Sequence, residues 1–411
     1  MSLASAFALA CLVAACGPNT SGNSADAPPG GDACTGSGDR CFGAQFQHCT
    51  NGNWQTTETC TASCSATLGC VECDPTQGAN TCNGNAVVTC TADGHYGTVV
   101  ESCQSGQTCV AGTCTRACTA DGVDLIYVID EQHNLLSFDP RNLTSPTAAF
   151  HLIGQPQCTP GPILPAWATQ SGDTIANPFS MAVDRDAVAW VLYTSGEIFK
   201  VSTTDASCIG NTGYTVSQNG MDLFGMGFVT DTSGGNTEKL YLGGGDVSAT
   251  PGGQFAIVDP AAPTTATVPP GSGLPNDGEL SPELTGTGAA ELFGFFPGVT
   301  TAFVQQLDKA TGHATGGKWN IAGGLGGTVR AWAFAQWGGY FYIFVTTDPG
   351  SGVLNSTVRR INRQTMQYET VPGFTNLPYT IVGAGVSTCA PVVIGAPAPG
   401  EPPTAPTPVA H

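Results

Sequence analysis

The chain has 411 residues and a formal net charge of −19, from 31 acidic against 12 basic side chains. Phosphate contacts need clustered Lys and Arg, so this balance argues against nucleic acid as a partner. With 55 glycines and 29 prolines the composition disfavours long helices, and 18 cysteines are too many for a reducing compartment.

From the N-terminus, Leu3 to Ala15 is nearly all apolar or small. That length suits the h-region of an export signal and is too short to cross a bilayer. It ends in Leu12-Val13-Ala14-Ala15-Cys16, which resembles a bacterial lipobox. The resemblance implies a signal peptide over 1–16, lipid on Cys16 and attachment to a membrane through that lipid. By the same resemblance Gly17, standing where Asp would retain the protein, implies the outer membrane, facing the periplasm or the cell exterior. Residues 17–33 include "GPNTSGNSADAPPGG", have no apolar periodicity and read as a flexible tether.

Residues 34–118 hold two sets of six cysteines. The first is Cys34, Cys41, Cys49, Cys60, Cys64 and Cys70; the second is Cys73, Cys82, Cys90, Cys103, Cys109 and Cys114. "RCFGAQFQHCTNGNWQTTETC" aligns with "TCNGNAVVTCTADGHYGTVVESC", each with an apolar strand, an Asn-Gly or Asp-Gly turn and an aromatic residue. Each set is expected to form a small hairpin held by three disulfides, because so short a segment buries too little apolar surface to fold alone. Six cysteines allow 15 pairings, so connectivity stays open. The run Cys70-Val71-Glu72-Cys73 has redox or zinc spacing, but in an exported chain it is expected to be a structural disulfide. His48 beside Cys49 has no second histidine near it to make a metal site.

Residues 119–390 change character, with short apolar strands returning at regular intervals. "PFSMAVDRDAVAWVLYTSGEIFKVST" (178–203) reads as three strands, with a fourth expected near Gly213 to Ser217. Similar units begin near residues 223, 283 and 331. Four strands at a period of about 40–60 residues are the mark of propeller blades. Residues 124–153 hold only three strands and lack an opening one, and "YTIVGAGVST" (379–388) looks like that missing strand. The predicted fold is therefore all-β: small disulfide-rich repeats, then a five-bladed β-propeller whose first blade is shared by N- and C-terminal strands. Cys118 and Cys389 then fall at the ends of one blade, and Cys158 and Cys208 each follow a third strand. The expected bridges are Cys118–Cys389 and Cys158–Cys208. Residues 391–411 are a Pro-rich tail, expected to be disordered.

Motifs for chemistry are sparse. "GHATGGK" (312–318) fits a phosphate loop up to its lysine, but Trp319 stands where Ser or Thr should follow, so a Gly-rich hairpin turn is expected. The histidines share no metal-ligand spacing, and calcium in acidic loops has no motif behind it. No catalytic, cofactor or metal residue is assigned. Arg359, Arg360 and Arg363 are expected on a solvated face. An enzyme would have to draw on carboxylates near the ring, of which Asp184, Asp231 and Glu291 stand closest to inner strands. Those strands, "SMAV", "GMGF" and "WAFA", look too apolar for acid–base work. Trp190, Trp332, Trp337, Tyr340 and Tyr342 alternate within strands and are expected to pack between blades.

Strings such as "MAVDRDAVAWVLYTSGEIFKVS" loosely resemble repeat propellers of the streptogramin-lyase and NHL type. The whole chain resembles bacterial propeller lipoproteins with a Cys-rich stalk, a resemblance that implies architecture and anchoring but no activity. The function expected first is a non-enzymatic, monomeric cell-surface lipoprotein, its propeller an interaction platform for an envelope protein or carbohydrate. The alternatives are a propeller-fold polysaccharide lyase or glycosidase, and a structural envelope spacer.

Overall fold

The computed structural model describes residues 34, 37–42, 45–84, 86–103, 107–110, 112–116, 118, 120–245 and 253–392. Cys16, the tether and nearly all of the Pro-rich tail lie outside them. The chain divides into two compact units. One takes the described residues up to Ala79 with Thr89–Thr98, the other Asn80–Val88 with the described residues from Val99 onward.

In the first unit, strand Gln45–Thr50 pairs with Asn53–Thr59 across Asn51 and Gly52, both at positive φ, as a two-residue hairpin turn requires. Its disulfides are Cys34–Cys49, Cys41–Cys64, Cys60–Cys70 and Cys73–Cys90. The second unit adds Cys82–Cys109 and Cys103–Cys114. In both sets of six cysteines the order is first to third, second to fifth, fourth to sixth. Cys70 and Cys73 are both bridged, but to Cys60 and Cys90 rather than to each other.

The rest of the second unit is a five-bladed β-propeller. Blade 1 holds β1 (Ile126–Asp130), β2 (Leu135–Phe138) and β3 (Phe150–Gly154). Blade 2 holds β4 (Pro178–Val183), β5 (Val188–Tyr193), β6 (Ile198–Ser202) and β7 (Cys208–Asn211). Blade 3 holds β8 (Phe224–Thr230), β9 (Glu238–Gly244), β10 (Gln254–Val258) and β11 (Ala266–Thr267). Blade 4 holds β12 (Glu283–Gly286), β13 (Leu292–Phe296), β14 (Ala302–Leu307) and β15 (Ala314–Ile321). Blade 5 holds β16 (Thr328–Trp337), β17 (Tyr340–Asp348), β18 (Asn355–Asn362) and β19 (Tyr368–Thr370). The last strand, β20 (Ile381–Val386), returns to blade 1, whose order is β3-β2-β1-β20. Val128 stands opposite Ala384 in that pairing. The shared first blade expected from the sequence is therefore present.

Every blade is buried on both faces. In a strand, successive side chains point to opposite sides. Ile126 and Val128 pack toward blade 5 with Ala333, Tyr342 and Phe344, whereas Tyr127 and Ile129 pack toward blade 2 with Met181, Val183 and Val191. Three further apolar clusters join blades 2 and 3, 3 and 4, and 4 and 5. This double burial is why the strands read as unbroken apolar runs rather than as an alternating pattern.

At the axis the inner strands β20, β4, β8, β12 and β16 run side by side in a closed ring. The approach leaves no room for side chains at several positions. A Cβ on Gly225 would stand 2.6 Å from the Glu283 Cα, one on Gly227 2.9 Å from the Leu284 carbonyl carbon, and one on Gly383 2.8 Å from the Met181 nitrogen.

The ends of the ring are tied where β20 leaves it. Cys389 is bridged to Cys118. Next to this bridge Glu238, at the start of β9, accepts from the Arg185 N–H at 2.8 Å and from Thr388 Oγ1 at 2.7 Å. One carboxyl thus holds the exits of blades 1 and 2 against blade 3. Burial pushes its pKa up to about 7, against the pull of those two hydrogen bonds.

Two local expectations are corrected. The fourth strand of blade 2 is Cys208–Asn211, not 213–217, so Cys208 lies in an outer strand rather than in the loop after a third one. The chain leaves the sheet after Asn211 because Tyr214 is drawn into the core between blades 2 and 3. In "GHATGGK" only the first residues turn, with Gly312 at φ +75°; residues from Ala314 onward belong to β15.

Two outcomes are expected. Gly227→Ala or Gly383→Ala should cost about 1–3 kcal/mol in denaturant unfolding, as overpacking does. Gly273→Ala, whose nearest neighbour would be 3.9 Å away, should leave stability unchanged. Glu238 should make stability pH-dependent. An unfolded glutamate releases its proton near 4.3, and the folded one holds its proton to about 7. Stability should therefore fall as pH rises between those values, by an amount on the order of 3 kcal/mol. Melting temperatures at pH 5 and pH 8 check this: the drop should shrink in Glu238→Gln, and equal drops would refute the assignment.

Candidate functional site

The inner strands all run the same way, so the ring has an entry end and an exit end. A cavity of about 190 Å³ opens at the entry end. The first residues of inner strands build its floor: Pro178 and Phe179 of β4, Glu283 of β12, and Val382 near the start of β20. Arg330, Ala331 and Trp332 of β16 and Glu131, just past β1, add to the wall. The rest of the wall comes from Thr194, just past β5, and from residues 155–177, the longest connection between one sheet and the next. It carries a short helix, Pro165–Ser171, and contributes Trp167, Asp173 and Asn177.

Glu283 is the central group. It is 3% exposed, and its Oε2 accepts from Ser180 Oγ at 2.9 Å. Ser180 lies on β4 and Glu283 on β12, with β8 between them in the ring, so this bond is made across the axial channel. Burial drives the Glu283 carboxyl well above the usual carboxylate range; hydrogen bonds from Ser180 and from the Met226 backbone oppose that and lose. Burial thus favours its protonated form, and it faces a cavity that also holds two other carboxyl groups. Asp173 accepts from the Trp167 indole N–H at 3.2 Å. Glu131 accepts from Gln132 at 2.8 Å. Deeper along β16 lies Gln336, fully buried, whose side-chain amide has no hydrogen-bond partner among the described residues.

Around the acids stand aromatic faces. Trp167 meets Phe179 edge-on, with centroids 5.5 Å apart, and Trp332 lines the opposite side, half-buried. Arg330 supplies a cation at the rim, loosely paired with Asp348 at 3.4 Å. Such a site offers one proton donor, carboxylates that can accept a proton, and apolar ring faces on which a sugar can stack.

The carboxylates singled out from the sequence lie at the exit ends of the inner strands, away from this cavity. Asp184 fastens a turn: it accepts from the N–H groups of Asp186 and Val188, and from the Trp190 indole at 3.0 Å. Glu291 is paired with Arg363 at 2.8 Å. Asp231 begins a loop, where its carbonyl accepts from Lys309 at 2.9 Å. Trp190 and Tyr342 are buried between blades, while Trp332 reaches the cavity. Trp337 bonds the Asp124 carbonyl at 2.7 Å, and Tyr340 lies under Arg360. The three arginines do not form a solvated face. Arg359 bonds the Leu325 carbonyl at 2.9 Å, Arg360 pairs with Glu369, and Arg363 lies over Phe293 and Phe341. Lys318 pairs with Asp277 and sits over Phe303, so it cradles no phosphate. The structure bridges Cys118 with Cys389 and Cys158 with Cys208. Among the described residues no cluster of three or more His, Cys, Asp or Glu side chains is set to hold a metal ion. No helix among them is long and apolar enough to cross a membrane.

Sequence reasoning missed Glu283, Asp173, Glu131 and Trp167. Glu283 had one signal: a charged residue opening a strand that is otherwise apolar. Trp167 and Asp173 had only the length of the connection that carries them.

No protein-family model matches the chain, and no curated protein matches it. Solved structures do. An endo-arabinase from Bacteroides thetaiotaomicron VPI-5482 is 12% identical, over 49% of this chain and 79% of that one, with a TM-score of 0.32. An α-L-arabinofuranosidase from Clostridium thermocellum ATCC 27405 is 14% identical, over 51% and 72%, with a TM-score of 0.33. A Bacteroides ovatus protein titled xyloglucan PUL GH43B is 16% identical over 47% of this chain, with a TM-score of 0.31. The chain covers 40% of that last protein's length. The expectation of a ring too apolar for acid–base work, and of a non-enzymatic interaction platform built on it, is corrected by Glu283, a buried acid that opens one of the inner strands and bonds Ser180 of another.

Proposed function

We propose that the propeller is a glycosidase whose active site is the entry-end cavity. The observation that carries this is Glu283: a buried carboxyl, pushed by burial toward its protonated form, that shares a small cavity with the carboxyls of Asp173 and Glu131. Glycoside hydrolysis uses such a pair, one acid to protonate the leaving oxygen and one carboxylate to activate water or attack the sugar. Glu283 gives its proton to the glycosidic oxygen as the C–O bond breaks. Asp173 or Glu131 takes a proton from the water that adds to the sugar carbon. One water is consumed, one bond is cut, and no other reactant is needed. Phe179, Trp167 and Trp332 hold the apolar face of the sugar.

The same reading places the enzyme on the cell envelope. Cys16 carries lipid at the outer membrane, residues 17–33 are a tether, and the two cysteine sets are copies of one module. The identical bridging order of the two sets, first to third, second to fifth and fourth to sixth, supports the last point.

The test is release of reducing sugar from arabinan, xylan, xyloglucan and β-glucan by the purified protein. Glu283→Gln should lower the rate about 10²–10⁴-fold, the usual worth of a general acid, while its melting temperature stays at or above that of the unaltered chain. Full activity in Glu283→Gln, or no release from any glycan, would refute the reading.

A further inference from the structure

The cavity is small. At about 190 Å³ it falls below the roughly 300–1,000 Å³ of a site for a drug-sized ligand, a space on the scale of a single sugar ring. One of its walls lies outside the repeating sheets: the connection 155–177.

That wall is fixed at several points. Cys158 is bridged to Cys208 on β7. The Gly161 N–H donates to the Glu197 carboxylate, and the Leu164 N–H donates to the Thr194 carbonyl at 2.9 Å. Where the connection rejoins the propeller, the Asn177 N–H donates to Thr194 Oγ1 at 2.9 Å. Pro165 opens the short helix, and Gly172, at φ +80°, closes it in the left-handed conformation that suits glycine. Between these anchors Trp167 is braced against Phe179 and bonded to Asp173.

We propose that the 155–177 connection turns the axial site into a blind pocket that admits only the end unit of a glycan, so that the protein releases single sugars from chain ends. This rests on the glycosidase reading above. Trp167 is a specificity-determining residue here, and the Cys158–Cys208 bridge is its anchor. The ring itself is closed by a different bridge, Cys118–Cys389.

Product size and viscosity, measured on the same four polysaccharides, test the inference. The unaltered protein should release monosaccharide while solution viscosity hardly changes. Trp167→Ala, and separately the double variant Cys158→Ser/Cys208→Ser, should release oligosaccharides as well. A merely structural role for the wall would slow release without lengthening the products, and that result would overturn the proposal. So would oligosaccharides and a rapid viscosity fall from the unaltered protein, which would leave the glycosidase reading standing. No product from any polysaccharide would remove that reading, and the pocket inference with it. Should the double variant fail to fold, Trp167→Ala alone decides.

Discussion

Five inner strands approach one another around an axis more closely than side chains permit, and much else in the second unit follows from that approach. Gly225, Gly227, Gly383 and Gly385 sit where a Cβ would run into the backbone of the neighbouring inner strand. With the strands so close, each blade faces another on both sides, and five apolar clusters form, one per junction. No inner edge is left to pair with another chain, because β20 fills the open edge of blade 1. Of the polar groups caught in the ring, Ser180 and Glu283 find each other across it, while the Gln336 side-chain amide has no partner among the described residues. A carboxyl in that setting is pushed toward its protonated form. The packing constraint and the candidate chemistry are thus one feature seen at two levels.

Much of the fold was legible in the sequence because it lies in local patterns. Turn residues recur between short apolar strands, and a unit short of one strand is matched by a spare strand at the other end. Tyr127, Ile129, Val128 and Ile126 could all be read as buried, though not which blade each one faces. The details that escaped depend on tertiary demand. The fourth strand of blade 2 was placed late because nothing in "NTGYTVS" announces that Tyr214 leaves the sheet to fill a neighbouring core.

The site was less legible, for a physical reason. Acids beside strong turn signals, such as Asp184 in "VDRDA", attract notice, yet those turns use them: Asp184 is taken up by two backbone N–H groups and an indole. Glu283 sits in "SPELTG" with no such signal, and its character comes from Ser180, 103 positions away in the chain. Trp167 and Asp173 belong to a connection whose role depends on where it folds back. Ring geometry, not sequence distance, brings these residues together.

The protonation state of Glu283 tests this account most directly. Carboxyl signals can be followed by ¹³C NMR on glutamate-labelled protein, or by infrared difference spectroscopy between the unaltered chain and Glu283→Gln. The account predicts a carboxyl whose titration is displaced upward from the ordinary glutamate range and whose signal vanishes in the variant. A Glu283 that is already ionised at pH 7 and titrates in the ordinary range near 4.3 would contradict it.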